Sequence, residues 1–265
     1  MEEEYEIGFN EMRELNQMSL DTFTFDKENM FESSADLVIK KLIQDKIKAE
    51  KEHYEWLRIK KDEPKRFEEL EEQAERADIN LEIQIHEYHI ENYYREEELW
   101  ALLEMKIIYL YKFFEINIKK LLKSSFPNTS TKEFFKWESL IEFLKNKNIN
   151  PKDIVGYNEI FQLKELNNSF KHSDKLEKQI INLIPEFKNT KQVSYTELDD
   201  FYKRLQKFPD AFLKDLSSKI YKELYVFDEA KIEKIANKIA LRMDNENALI
   251  LIEKIKTAYN RRLAQ

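Results

Sequence analysis

Two glycines in 265 residues constrain this chain more than any other feature. Tight β-hairpins, dinucleotide-binding turns and phosphate loops need backbone that turns left-handed or lets a ligand approach closely, which is glycine's work. With only Gly8 and Gly156 to spend, the chain has no means to build a P-loop, a Rossmann turn, a kinase Gly-rich loop or most β-sandwiches. An all-α fold is expected. Core material is ample: 18 Phe, 13 Tyr and 3 Trp separate the chain from a disordered polyelectrolyte, although 36% of it is charged. Absence of cysteine excludes disulfides, thiolate metal sites and cysteine nucleophiles. The start, Met1-Glu2-Glu3-Glu4, is too acidic for a secretory or transit peptide. The most apolar run, Leu99 to Leu122, is interrupted by Glu104, Lys106, Lys112 and Glu115. It therefore reads as a buried helix and not a membrane span. A cytoplasmic chain with no membrane partner is the expectation.

The net charge of −8 hides an asymmetry. Residues 1–100 hold 14 Lys/Arg against 29 Asp/Glu, a net of −15, whereas residues 101–265 hold 30 against 23, a net of +7. One reading is a solvated acidic helical arm beside a mildly basic body; the other is an acidic arm that covers, or competes for, a basic surface.

Along the chain, residues 1–30 carry weak periodicity, and Asp21 to Phe25 alternates as a short strand or extended arm does. From about 34 to 98 the sparse apolar stripe amid Lys and Glu reads as a long antiparallel helical pair, interrupted at Pro64 and again where Ile79, Leu81, Ile83 and Ile85 alternate. Glu98 to Lys123 is the strongest core helix. Ser130 with Glu133, and Ser194 with Glu197, have capping-box spacing. Asn150-Pro151 is a cap followed by a first-turn proline. A helix is expected from 157 to His172, a loop or small hairpin over 173–194, a kink at Pro209, and a cap at Asp228 opening a final helical pair. These patterns suggest three parts: an acidic arm over 1–97, a helical bundle over 98–226, and a C-terminal helical pair over 227–265.

Few residues carry recognisable chemistry. His86 and His89 lie three apart, and Glu50 with His53 has the Glu-x-x-His spacing of di-iron bundles, but no other histidine has a Glu three residues before it. No metal and no cofactor is expected. The hydrolase nucleophile elbow Gly-x-Ser-x-Gly is absent. What stands out is the segment from Gly156 to Ser173. On a helix Phe161, Glu165, Asn168 and His172 fall in one band, Lys171 lies alongside, and Leu163, Leu166 and Phe170 face the other way with Asn167 on their flank. His172 and Asn168 either form a site or simply end the helix, and Asn167 either serves that site or ties the helix to a neighbour by a buried amide bond.

The long helix Glu98 to Lys123, followed by a helix ending Leu166-Asn167-Asn168-Ser169-Phe170-Lys171-His172-Ser173, resembles the HEPN superfamily of all-helical prokaryotic proteins. The family's core is a helical bundle, and many members are metal-independent endoribonucleases of toxin–antitoxin and phage-defence systems. Their motif is Arg, a polar residue, a short spacer, then His, and two copies meet across a homodimer. Here His172 matches the histidine, and Asn167 or Asn168 the polar position. The arginine is missing, because 165 to 167 are Glu, Leu and Asn. The resemblance thus implies an HEPN-like bundle with an added helical hairpin, a homodimer, and binding of RNA or a nucleotide. Cleavage would use His172, Asn168 and Lys171, with Lys164, Glu165 and Asn167 contacting substrate. The missing arginine equally suits an inactive scaffold that binds a partner protein through residues 34–97.

Overall fold

The computed structural model describes residues 9–22, 30–127, 129, 134, 136–173, 175–188, 190 and 192–260. They form helices with no β-strand among them: α1 (Phe9–Asp21), α2 (Met30–Asp62), α3 (Pro64–Arg76), α4 (Leu81–Ser125), α5 (Trp137–Asn146), α6 (Tyr157–His172), α7 (Lys178–Leu183), α8 (Tyr195–Leu205), α9 (Phe208–Tyr225), α10 (Glu229–Ala240) and α11 (Asn245–Asn260). The all-α class is therefore as expected. No described helix is long and apolar enough to cross a membrane. The chain divides into two compact units, one of 26–117 with 155–212 and one of 1–25, 118–154 and 213–265. Both α4 and α9 contribute residues to each.

In the first unit, side-chain pairs set the course of α2 against α4. Asp36 meets Lys106, Lys46 meets Glu96 at 2.9 Å, Arg95 meets Asp45 at 3.5 Å, and Lys60 meets Glu82. Going from Asp36 through Lys46 to Lys60 on α2 goes back from Lys106 through Glu96 to Glu82 on α4, so the helices run antiparallel. Pro64 opens α3 at its first position, where the missing N–H costs nothing. The chain then turns without glycine: Asp78 takes φ 60°, and the Ile79 N–H returns to the Ala74 carbonyl at 2.9 Å. A small satellite core of Ile59, Phe67, Leu81 and Ile85 closes this end, with Trp56 and Leu70 against it. Farther along α4, Leu99, Leu103, Ile107, Leu110 and Phe114 recur at three- and four-residue steps and are all buried. Phe114 stands edge-on to Phe212 with centroids 5.2 Å apart. Leu198, Phe201, Tyr202 and Leu205 of α8 and Phe187 are buried in the same unit. Lys106, 4% exposed, is held by Asp36 and by the Tyr202 ring face, 3.9 Å from its centroid.

In the second unit, Leu20 of α1, the end of α4 (Ile118, Leu121, Leu122), α5 (Leu140, Leu144) and α9 (Leu213, Leu216, Ile220) supply buried residues. The buried Ser217 hydroxyl donates to the Leu20 carbonyl at 2.9 Å. Asn148, at φ 60°, ends the turn after α5 and donates through Nδ2 to Glu223 at 3.0 Å. Lys231 sets its Nζ on the Glu223 and Val226 carbonyls, so a cation caps the C-terminal end of α9.

Local chemistry accounts for most boundaries. Ser194 and Glu197 make both halves of a capping box, and the Asp228 side chain accepts from the Lys231 N–H at 2.8 Å. Asn150 caps a short 3₁₀ turn that begins at Pro151. Three expectations need correction. Asp21 ends α1 and Thr22 is a turn, so that end of the proposed strand is helical; Phe23 to Phe25 lie outside the described residues. The loop or hairpin over 173–194 holds the helix α7 and a 3₁₀ turn, Pro185–Phe187. Pro209 does not kink a helix: α8 ends at Leu205, α9 restarts at Phe208, and the proline sits in its first turn. The break expected where Ile79, Leu81, Ile83 and Ile85 alternate is present: residues 79 and 80 form a loop and α4 opens at Leu81. Ser130 and Glu133 are outside the described residues.

Candidate functional site

Gly156 caps α6 in the left-handed region, at φ 78°, and a Cβ there would lie 2.8 Å from Phe208 Cδ1. Backbone conformation and close packing both demand glycine at this position. The helix then buries Ile160, Leu163 and Leu166 completely, with Asn167 and Ser169 beside them. Phe170, expected on the core side, is only half-buried, and Asn167, expected on the flank, is 1% exposed. The helical angle does not separate the two, since at about 100° per residue Phe170 lies about 20° from the Leu163 direction and Asn167 about 40°. They differ along the axis: Phe170 stands in the last turn of α6, and Asn167 one turn farther in.

The Asn167 amide is poorly served. Its Nδ2 reaches only Asn168 Oδ1, at a long 3.4 Å, and its Oδ1 has no partner, nor has the buried Ser169 hydroxyl. Asn167 therefore makes no amide bond to a neighbouring helix. A buried acceptor left unmade costs about 1–3 kcal/mol.

The other motif residues lie outward. Lys171 and His172 are exposed at the end of α6, and Asn168 is half-buried. Lys164 and Glu165 pair with each other at 2.7 Å, and the ammonium lies 5.5 Å from the Phe161 ring centroid. Lys164 and His172 are two turns apart, roughly 12 Å along the axis at 1.5 Å per residue. One phosphate cannot touch both within a chain. Glu165 has a further effect that the sequence did not signal. Tyr111 of α4 is half-buried, and burial, then the charges of Glu115 and Glu165, push its phenol well above the ordinary tyrosine value.

Next to the motif, Arg204 forks onto Glu186, with one N–H to Oε2 at 2.9 Å, and also donates to Gln162 of α6 at 2.9 Å. Burial alone would raise the Glu186 pKa, but the Arg204 hydrogen bonds and charge outweigh it and hold the carboxyl below its usual range. This network locks α6 to the segment after α7, and nothing in the local sequence pattern of either announces it.

A second cluster lies between α2 and α4. The antiparallel course brings His53 to His89, ring centroids 5.9 Å apart, with His86 6.3 Å from His89. His53 Nδ1 donates to the Ile85 carbonyl at 3.2 Å, which leaves Nε2 as the free ring nitrogen. His53 and His89 border a cleft of about 430 Å³ that is also lined by Lys46, Tyr54, Asn92 and Tyr93. Lys46 binds Glu50 at 2.7 Å and Glu96 at 2.9 Å. Burial opposes its charge, yet the two carboxylates outweigh burial and raise its pKa. Among the described residues no group of three or more His, Asp or Glu could hold a metal ion. Sequence spacing separates His53 from His89 by 36 positions; only the register of the helical pair could have joined them.

The arrangement defines an all-α protein with an accessible imidazole at one helix end and an aromatic, acidic helical pair. Compared with protein families, curated proteins and solved structures, the chain has no significant match.

Proposed function

We propose that this chain is a catalytically inactive, HEPN-like helical scaffold whose α2–α4 pair docks a partner protein. The observation that carries the reading is the dressing of that pair. Leu37, Ile47, Tyr54, Ile90, Tyr93 and Tyr94 are exposed among many acidic side chains, and the cleft lies between Tyr54 and Tyr93. Aromatic and aliphatic anchors ringed by charge are the make-up of a protein-binding surface. The net −15 of residues 1–100 fits a basic partner surface and repels RNA phosphates. A prokaryotic toxin or phage-defence setting comes from the HEPN resemblance.

The motif geometry supports inactivity. Attack of a ribose 2′-hydroxyl on the adjacent phosphate needs a proton acceptor, which His172 supplies, and a cation against the developing phosphorane charge. Lys164 is already paired with Glu165, and the arginine position is filled by uncharged or acidic residues. Lys171 remains, as a point charge without a guanidinium's fork. One observation favours the rival reading, RNA binding with weak metal-independent cleavage: His172 and Lys171 are accessible to a polyanion.

Single-stranded RNA incubated with the full chain in EDTA separates the two. The scaffold reading expects intact RNA, with His172→Ala indistinguishable from the parent. Cleavage that disappears in His172→Ala replaces it with the ribonuclease reading. A photo-crosslinking residue at Tyr54 or Tyr93 should trap one discrete partner in the producing cell, and Tyr94→Ala, at an exposed side chain of the same pair, should leave the chain folded but reduce trapping.

A further inference from the structure

The core-facing stripe of α4 changes character where it meets the middle of α2. At three- and four-residue steps it runs Ile85, His89, Asn92, Glu96, Leu99 and Leu103. Ile85, Leu99 and Leu103 are buried, whereas the three positions between them are polar. Lys46, Glu50 and His53 meet this stretch from α2, in the register that the Lys46–Glu96 ion pair and the His53–His89 contact define. Aliphatic side chains here would close the seam, as Leu99 and Leu103 are closed farther along; polar ones leave the cleft of about 430 Å³. Three successive stripe positions that give up apolar packing are a local conflict with stability, and such conflicts collect at functional places.

We propose that this cleft receives the guanidinium of an arginine carried by the docked protein. The inference rests on the partner-docking reading and names the group that the partner brings. Charge is the first argument. Glu50 and Glu96 share one ammonium, that of Lys46. The Lys46 side chain is 12% exposed and each carboxylate side chain 42%, so the cation lies deeper and the carboxylates reach toward solvent. Two carboxylates on one ammonium leave a negative charge that a second cation would compensate. Shape is the second argument. The exposed rings of Tyr54 and Tyr93 border the same cleft, one from each helix. A guanidinium stacks its plane on such a ring while its N–H fork reaches carboxylate oxygens; an ammonium answers the charge but has neither plane nor fork. Third, Asn92 lines the cleft with a side-chain oxygen that has no hydrogen-bond partner. Rotation about the soft terminal torsion of the amide offers that oxygen to an N–H of the guest.

Titration of N-acetyl-arginine amide into the full chain tests this, followed by NMR of ¹³C-labelled tyrosine rings. His53 and His89 also line the cleft, so the buffer is held at about pH 8, above the ordinary imidazole range. Saturable shifts of the Tyr54 and Tyr93 rings with a low-millimolar Kd are expected. The lysine analogue should bind about threefold more weakly or worse, and the uncharged citrulline analogue should not bind. Tyr54→Phe should keep the affinity, because the ring face is retained. Tyr54→Ala with Tyr93→Ala should abolish binding at unchanged helix content, since both side chains are exposed. Glu96→Gln should weaken it about threefold or more. Absence of saturable shifts at the two rings overturns the proposal, as does citrulline binding as well as arginine, or binding that survives the paired tyrosine substitutions. A partner crosslinked at Tyr93 whose capture saturating N-acetyl-arginine amide does not lower overturns it too, and leaves the docking reading standing. Failure to trap any partner overturns the docking reading, a result on which the titration does not depend.

Discussion

Helices α6 and α10 are both short and amphipathic, yet they stand at opposite extremes of burial. α6 buries five residues, two of them polar, and is fastened at its start by Gly156 and along its side by the Gln162–Arg204–Glu186 network. α10 is the more regularly striped of the two, with isoleucines at 232, 235 and 239, and buries nothing. A regular stripe reports what a helix can offer to a partner; whether the partner lies within the same chain is a separate matter. Where a helix is enclosed, even a poorly bonded amide such as Asn167 is locked in place. Where it is open, aliphatic side chains are available to a second molecule.

The largest expected effect comes from forcing a charge into the enclosed helix. Asn167→Arg, which also tests whether the HEPN arginine can simply be restored there, buries an unpaired guanidinium. It should cost about 3–5 kcal/mol in denaturant unfolding. A small cost would mean that α6 is less enclosed than its exposure indicates, and the comparison would break.

Gly156→Ala should cost about 2 kcal/mol, from left-handed strain and from the contact with Phe208. Alanine at an exposed helix position, as in Asn237→Ala, should be neutral or slightly stabilising.

The Arg204–Glu186 lock sharpens the contrast through pH. The folded-state pKa of Glu186 is depressed, so its contribution is present above the unfolded value, near 4.5, and is lost as pH falls through the folded value. Stability measured from pH 6 downward should therefore fall less steeply in Glu186→Gln than in the parent. Equal slopes would show that the fork contributes no linkage.

The smallest effects belong to α10. Ile232→Ala in dilute, monomeric chain should change stability by no more than about 0.5 kcal/mol, against about 2–5 kcal/mol for Leu163→Ala in α6. Asn167→Leu is a finer probe of the enclosed helix: removing an unmade acceptor should be nearly neutral or stabilising, as thermal unfolding will report.

Much of this was legible in the residues themselves. Pro64, Asn150-Pro151, Ser194 with Glu197 and Asp228 mark helix starts because capping acts over three or four positions of chain. The span of α6 was equally plain, from a glycine at its start to a histidine at its end. Pro209 was legible as a disturbance but not as a restart, since a proline in a first turn and a proline at a kink have the same local signature. The turn at Asp78 was harder still, because it takes left-handed backbone without glycine. Asn167 and Asn168 are adjacent and identical in type, and no pattern rule says which one the protein encloses.

The sequence alone determined that the chain is all-α, where most helices begin, and which faces are apolar; glycine scarcity, caps and periodicity act within a turn or two of the chain. Only tertiary structure decided that His53 meets His89, that Arg204 locks Glu186 and Gln162, that Lys164 is paired with Glu165, and that Asn167 is enclosed while α10 is bare. Those outcomes depend on the register in which distant helices pack. Register is set by the fit of whole surfaces, to which any single residue contributes too little to be read in isolation.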